Sequence, residues 1–127
     1  MPNERVTSIS PYAEGPIPPE VLRIHASLAL GVTARCCRLL GPTPLDDELL
    51  RCREELDRLH SKTIEGARGW AGELALRAAA ALLTATGSRS LLLESHAQRL
   101  AREALFALVY ALRPGSKQAV LERLGVG

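Results

Sequence analysis

The side chains with chemistry to offer in this 127-residue chain are three histidines, three cysteines, many arginines and a group of hydroxyls around Gly87. A structural metal site needs several ligands at close, fixed spacing. His25, His60 and His96 fall on three different predicted helices, and none pairs with a Cys or an acid at a zinc-ligand spacing. They read as solvent-facing or half-buried histidines. Cys36 and Cys37 are adjacent rather than C-x-x-C, and Cys52 makes the count odd, so neither a redox pair nor a disulfide framework is indicated. Reduced thiols point to the cytoplasm. No phosphate-binding loop, dinucleotide glycine fingerprint or G-x-S-x-G nucleophile turn occurs.

The basic residues are nearly all Arg, with Lys62 and Lys117 as the lysines. Arg is the better bidentate partner for carboxylate or phosphate. Their spacing shows no recognition helix with interleaved aromatics, and the net charge of +2 is close to balanced. Nucleic acid is therefore not expected as a partner. The plainer reading of the arginines is solvated helix faces with acids nearby.

These residues must be positioned by helices. Hydrophobic residues make up 46% of the chain but only Tyr12, Trp70, Phe106 and Tyr110 are aromatic, so the core is built from Leu, Ala and Val. Leu and Ala lose little side-chain entropy in a helix. β-branched residues are scattered, and no segment reads as a strand. Residues 1–18 are rich in proline and read as an extended leader. Residues 19–127 read as one helical domain.

A first helix is expected over 19–40, with an inner stripe of Leu22, Ala26, Ala29, Leu30, Thr33, Cys37 and Leu40 at three- and four-residue steps. Gly31 in its middle suggests close approach of a neighbouring helix. A second helix is expected over 44–60, with Asp46, Asp47 and Glu48 at the positive end of its dipole. A third, over 64–86, has Thr63 as a candidate cap and is apolar almost all round, which marks it as central or covered by a partner subunit. Gly87 stops it. After a turn at 87–92 a fourth helix is expected over 93–112, its stripe running from Leu93 through Ala97, Leu100, Ala104 and Leu108 to Leu112. Arg113-Pro114-Gly115 breaks it, and a short last helix covers 116–124. Short connections imply an all-α antiparallel four-helix bundle with a short fifth helix. The longest apolar stretch, 78–85, is too short to span a membrane.

The most informative segment is Thr84 to Ala104, where a long helix ends at Gly87, a tight turn follows, and the next helix opens with Gln98-Arg99-Leu100-Ala101-Arg102-Glu103-Ala104. This resembles the acyl-CoA dehydrogenase superfamily, in which a glycine-rich turn precedes a helix carrying Arg-x-x-Arg-Asp-Ala. The helix order, including Leu28-Ala29-Leu30-Gly31, is similar to that family's C-terminal bundle over roughly 19–125. The family's turn is Gln-x-x-Gly-Gly-x-Gly. Thr84, Gly87, Ser88 and Ser90 stand at its four fixed positions, and one glycine is kept. In the family this turn lets its backbone approach the flavin dinucleotide of a neighbouring subunit. The resemblance thus implies FAD contact at Thr84, Gly87, Ser88 and Arg89, through backbone and hydroxyl hydrogen bonds to a phosphate-bearing ligand. The alternatives are that Gly87 is only a helix stop, and that Arg99 and Arg102 are structural ion pairs with Glu94, Glu103 or a neighbouring helix.

The chain also departs from the family. The family's catalytic glutamate, in Tyr-Glu-Gly-Thr, falls on Ala111, after Tyr110. Alanine cannot abstract the proton beside a thioester carbonyl, which requires a positioned base. Some family members carry the base on the first helix, near Val21 here, which makes Glu20 an alternative; its plain reading is a helix-start acid. The domains that hold the flavin ring are absent from these residues. The resemblance therefore implies a non-catalytic, oligomer-forming and flavin-contacting part of an FAD-dependent acyl-CoA dehydrogenase assembly. FAD would bind only with a partner flavoprotein chain or domain. The alternative is a stand-alone module for self-association, a homodimer or higher homo-oligomer, with no flavin or enzyme role.

Overall fold

A computed structural model describes residues 17–60 and 62–127; the expected leader lies almost wholly outside them. The described residues form five α-helices and one 3-10 turn, with no strand among them. The helices are α1 (Pro19–Leu40), α2 (Leu45–Asp57), α3 (Ile64–Thr86), α4 (His96–Val109) and α5 (Pro114–Arg123). The 3-10 turn, Gly87–Leu91, joins α3 to α4.

Proline sets the start of α1: Pro18 is extended and Pro19 occupies the first helical turn, where a missing N–H removes no hydrogen bond. Gly41 ends it with φ +83°, its N–H donating to the Cys37 carbonyl. The expected stripe is buried apart from a half-buried Leu40, and Cys36 joins it. Gly31 has no crowding neighbour: a Cβ there would meet nothing within 4 Å.

Helix α3 is the axis of the fold and lies against each of the other four helices. Its small residues explain this. Ala71, Ala75 and Ala78 are fully buried, together with Leu74. Gly69 lets α5 cross at close range, since a Cβ there would fall 2.8 Å from the Ala119 Cβ and from the Ser116 carbonyl oxygen. The Ser116 hydroxyl donates to the Glu65 carbonyl at 2.8 Å across the same crossing.

On the α2 side of α3 the polar groups are paired. Glu48 accepts from Trp70 Nε1 at 2.7 Å and from both terminal nitrogens of Arg77. Arg77 also pairs with the buried Glu73. The Arg123 guanidinium covers the Trp70 ring, 4.8 Å from its centroid, and lies 3.8 Å from Glu73. The Arg77 hydrogen bonds, aided by the one from Trp70 and opposed by burial, hold the Glu48 carboxyl down at about 2.

Several expected boundaries shift, each for a local reason. Helix α2 ends at Asp57, because Leu59 turns into the left-handed region at φ 48°. Thr63 sits at the cap of α3, but its hydroxyl donates backwards to the His60 carbonyl instead of capping the helix. Helix α4 begins at His96 rather than 93, since Leu92 and Ser95 are extended. Leu93 is consequently 74% exposed and no part of the inner stripe. Pro114 does not merely break a helix; it opens α5 from the first turn.

Candidate functional site

Two concave regions adjoin α4, one before its first turn and one along its side toward α1. The first lies where α3 stops. Gly87 leaves the helix at φ +78°, and its N–H donates to the Leu83 carbonyl. A cavity of about 490 Å³ opens beside the turn, lined by Leu39 of α1, Thr86 at the end of α3, Arg89 and Leu92 of the connection, and Ser95 and His96 at the start of α4. Glu94 also faces it. Ser95 caps α4 in an extended conformation, and its hydroxyl makes no capping bond. The backbone N–H groups of a first helical turn carry partial positive charge.

Of the four residues expected to contact a dinucleotide, Arg89 lines this cavity and Thr84, Gly87 and Ser88 do not. All four are exposed at the same end of the molecule. The Thr84 hydroxyl is engaged with the Ala80 carbonyl one turn back, at 2.8 Å. Ser90, which shares the turn, is buried, so its hydroxyl cannot face a ligand. Thr86, Ser95 and His96 join the cavity without having been expected. A Ser directly before the helix that starts at His96 was the available signal, obscured by reading Leu93 as helical.

The second region is a groove of about 470 Å³ between α1 and α4. The two helices run antiparallel: His25 meets Tyr110, while Leu39 and Ala97 share the cavity at the other end. Leu28 and Val32 form one wall, and Phe106, Ala107 and Tyr110 the other. Arg99, Arg102 and Glu103 stand at its polar end. Phe106 stacks on Tyr110 with ring centroids 4.9 Å apart, yet remains 61% exposed. Arg99 is 3.9 Å from Glu103, an exposed pair, and Arg102 has no ion pair among the described residues.

Beneath the groove lies Arg68, one of the most deeply buried side chains of the chain. Its Nη2 donates to the carbonyls of Ala107 at 2.7 Å and Tyr110 at 3.0 Å, filling the orphan acceptors at the end of α4. No carboxylate neutralises it among the described residues, and its Nε and Nη1 have no hydrogen-bond partner there. Burial lowers its pKa. Burial, with the charge of Arg68 adding, also lowers that of His25, which keeps the imidazole neutral near pH 7. Nothing in the sequence singles out Arg68; the residue that leaves room for its guanidinium is Gly72, one turn on, where a Cβ would fall 3.0 Å from Nη1.

Directly after Tyr110, Ala111 is exposed and adopts φ +47°. The resemblance would put a catalytic glutamate at this position, and a methyl group accepts no proton. Glu20, the alternative, is exposed in the first turn of α1, about one turn before His25. The three thiols are free and buried. Burial pushes Cys36 up to about 11 and Cys52 up to about 12, and it raises Cys37 as well. None is a thiolate nucleophile at neutral pH. Among the described residues no group of His, Cys, Asp and Glu is placed to hold a metal ion, and no helix is long and apolar enough to cross a membrane. Comparisons with profiles of known protein families, with curated proteins and with solved structures find no match.

Proposed function

We propose that this chain is a flavin-contacting, non-catalytic helical part of an FAD-dependent acyl-CoA dehydrogenase assembly, built on that superfamily's C-terminal antiparallel four-helix bundle with a short fifth helix. The observation that carries the reading is the passage from α3 to α4. A 23-residue helix closes on a left-handed glycine, one 3-10 turn follows, and the next helix begins at His96 and carries Gln98 to Ala104, the run that resembles the family's. The contact between His25 and Tyr110 supports it further. It brings α1, which bears Glu20, to the end of α4 followed by Ala111, so both of the family's base positions belong to one end of the molecule.

The turn suits one side of a dinucleotide. Ser88 and Arg89 are exposed there, and the Arg89 guanidinium faces the cavity before α4. A guanidinium matches a phosphate by charge and by bidentate geometry. Thr84 and Ser90 contribute less than expected, because one hydroxyl is engaged and the other buried. Bound FAD would supply the hydride acceptor. The role of these residues is to hold its phosphates, and no residue at position 111 takes up the substrate proton.

The test is FAD binding by the chain with and without co-expressed candidate flavoprotein chains, followed by flavin absorbance and fluorescence. The reading expects a colourless chain alone, flavin retained with the right partner, and retention reduced by Arg89→Glu. Absence of FAD affinity in every assembly would overturn it. The second reading, a stand-alone self-association module, is favoured by the exposed apolar groove between α1 and α4.

A further inference from the structure

The turn before α4 carries a feature that flavin contact leaves unexplained. Leu91, Leu92 and Leu93 are consecutive and 78%, 54% and 74% exposed. Three neighbouring leucines in water form an apolar knob, and such patches mark contact surfaces. Glu94 follows them, exposed and without an ion pair among the described residues. The same chain holds a matching hollow. The groove between α1 and α4 is floored by Leu28, Phe106 and Tyr110, and Arg102, also unpaired, stands at its rim.

The knob cannot fill the groove of its own chain. It precedes α4, whereas the apolar floor reaches the helix's far end at Tyr110. A 14-residue helix is about 21 Å long. A second copy, rotated by a two-fold axis across α4, solves this. Each copy then presents its leucines to the other's groove, and the same two surfaces are buried on both chains. Glu94 of each copy approaches Arg102 of the other, two groups of opposite charge that each lack an ion pair among the described residues. The same acid argues against a lipid surface as the occupant, since a carboxylate beside Leu93 would enter the bilayer with the leucines. The nearly balanced net charge of +2 provides no strong pull toward anionic headgroups either.

We propose that two copies of this chain pair through the Leu91–Leu93 knob of each and the α1/α4 groove of the other, with Glu94 and Arg102 fixing the register. The pairing is argued from protein surface alone and does not rest on flavin binding, although Leu92 and Glu94 also line the cavity beside Arg89; it is therefore measured on the full chain without FAD.

Sedimentation across a concentration series should give twice the chain mass of 13.7 kDa. Glu94→Arg and Arg102→Glu should each raise the dimer dissociation constant by about tenfold or more, because each places like charges together. The double variant should recover most of the loss, as expected for groups in direct contact. Should a variant misfold, a chain carrying both Leu92→Cys and Tyr110→Cys provides a second measurement. Mild oxidation should link it as a dimer, while the three native thiols are buried. A chain that is monomeric throughout overturns the proposal, whether or not it binds phosphatidylcholine vesicles. A dimer indifferent to both reversals, a double variant without recovery, or a doubly Cys-substituted chain that forms no cross-link also overturns it.

Discussion

The two flanks of α3 solve the burial of charge in opposite ways. Toward α2 and α5, Glu48, Glu73, Arg77 and Arg123 form a closed set, with Trp70 supplying a further donor and a ring face. Toward α1 and α4, Arg68 is buried without a carboxylate partner among the described residues, and large apolar side chains such as Ile24, Leu28 and Phe106 face outward. The first flank is complete within one chain. The second has the composition of an interface, apolar in the middle with arginine at the rim. Stability of the isolated chain should therefore reside in α3 and the buried residues packed on it from every side, while the outward face of α1 and α4 should tolerate substitution.

The largest expected effect sharpens that contrast directly. Leu74 is fully buried on the central helix, and Leu74→Ala should lower unfolding free energy by about 3 kcal/mol, as transfer and cavity terms add. Phe106→Ala, on the exposed face, should change monomer stability by about 0.5 kcal/mol or less. Urea unfolding of the two variants under monomeric conditions measures both. Equal losses would mean that the α1/α4 face belongs to the monomer's core.

The next effect depends on pH. The Glu48 carboxyl sits at about 2 in the folded chain against an ordinary 4.5. A depressed pKa means that the unfolded chain binds the proton more tightly, so the contribution is present above about 4.5 and is lost as pH falls toward 2. Its size is of order 1–2 kcal/mol, discounted because Arg77 is part exposed. Comparing unfolding at pH 7 and pH 3, Glu48→Gln should shrink the acid-induced loss by roughly half of that amount, because pH 3 lies inside the window. An identical loss in wild type and variant would show that the α2 flank is not held by this carboxylate.

The sequence patterns predicted the helices better than the surfaces. Apolar periodicity placed α1 and α3 at their observed ends, because Gly41 and Gly87 are helix stops whose left-handed backbone glycine adopts freely. The same periodicity misled at α4. Leu93 and Leu112 fit a stripe of leucines, yet the chain is extended at Leu92 and left-handed at Ala111, so neither lies within the helix. That Gly87, Ser88 and Arg89 form a turn after a helix stop was legible. His96 and Ser95, which join Arg89 in the cavity, depended on where α4 begins. Arg68 was beyond the reach of pattern. Its function arises from carbonyls about 40 residues away, and no local spacing encodes such a contact.

Two glycines in helices separate a packed crossing from an open face. Gly69→Ala would drive a methyl group against Ala119 and the Ser116 carbonyl, 2.8 Å from each, and should destabilise by about 1 kcal/mol once α5 shifts. Gly31→Ala meets nothing within 4 Å and should stabilise by about 0.5–1 kcal/mol through helix propensity. Thermal melts of the two variants should move in opposite directions. Movement in the same direction would remove the distinction between the α5 crossing and the outer surface of α1.

The smallest effect bears on the bend that follows α4. Ala111 holds φ +47°, where a side chain is disfavoured and glycine is not. Ala111→Gly should therefore stabilise the chain by about 0.5 kcal/mol, the relief of strain being partly offset by the greater freedom of an unfolded glycine. The gain should vanish in an Arg68→Met background if the guanidinium, by holding the Ala107 and Tyr110 carbonyls, is what imposes the bend. A double-mutant cycle from urea unfolding measures that coupling. Additive behaviour would mean that the bend is set by Pro114 and the start of α5, leaving Arg68 only to satisfy the end of α4.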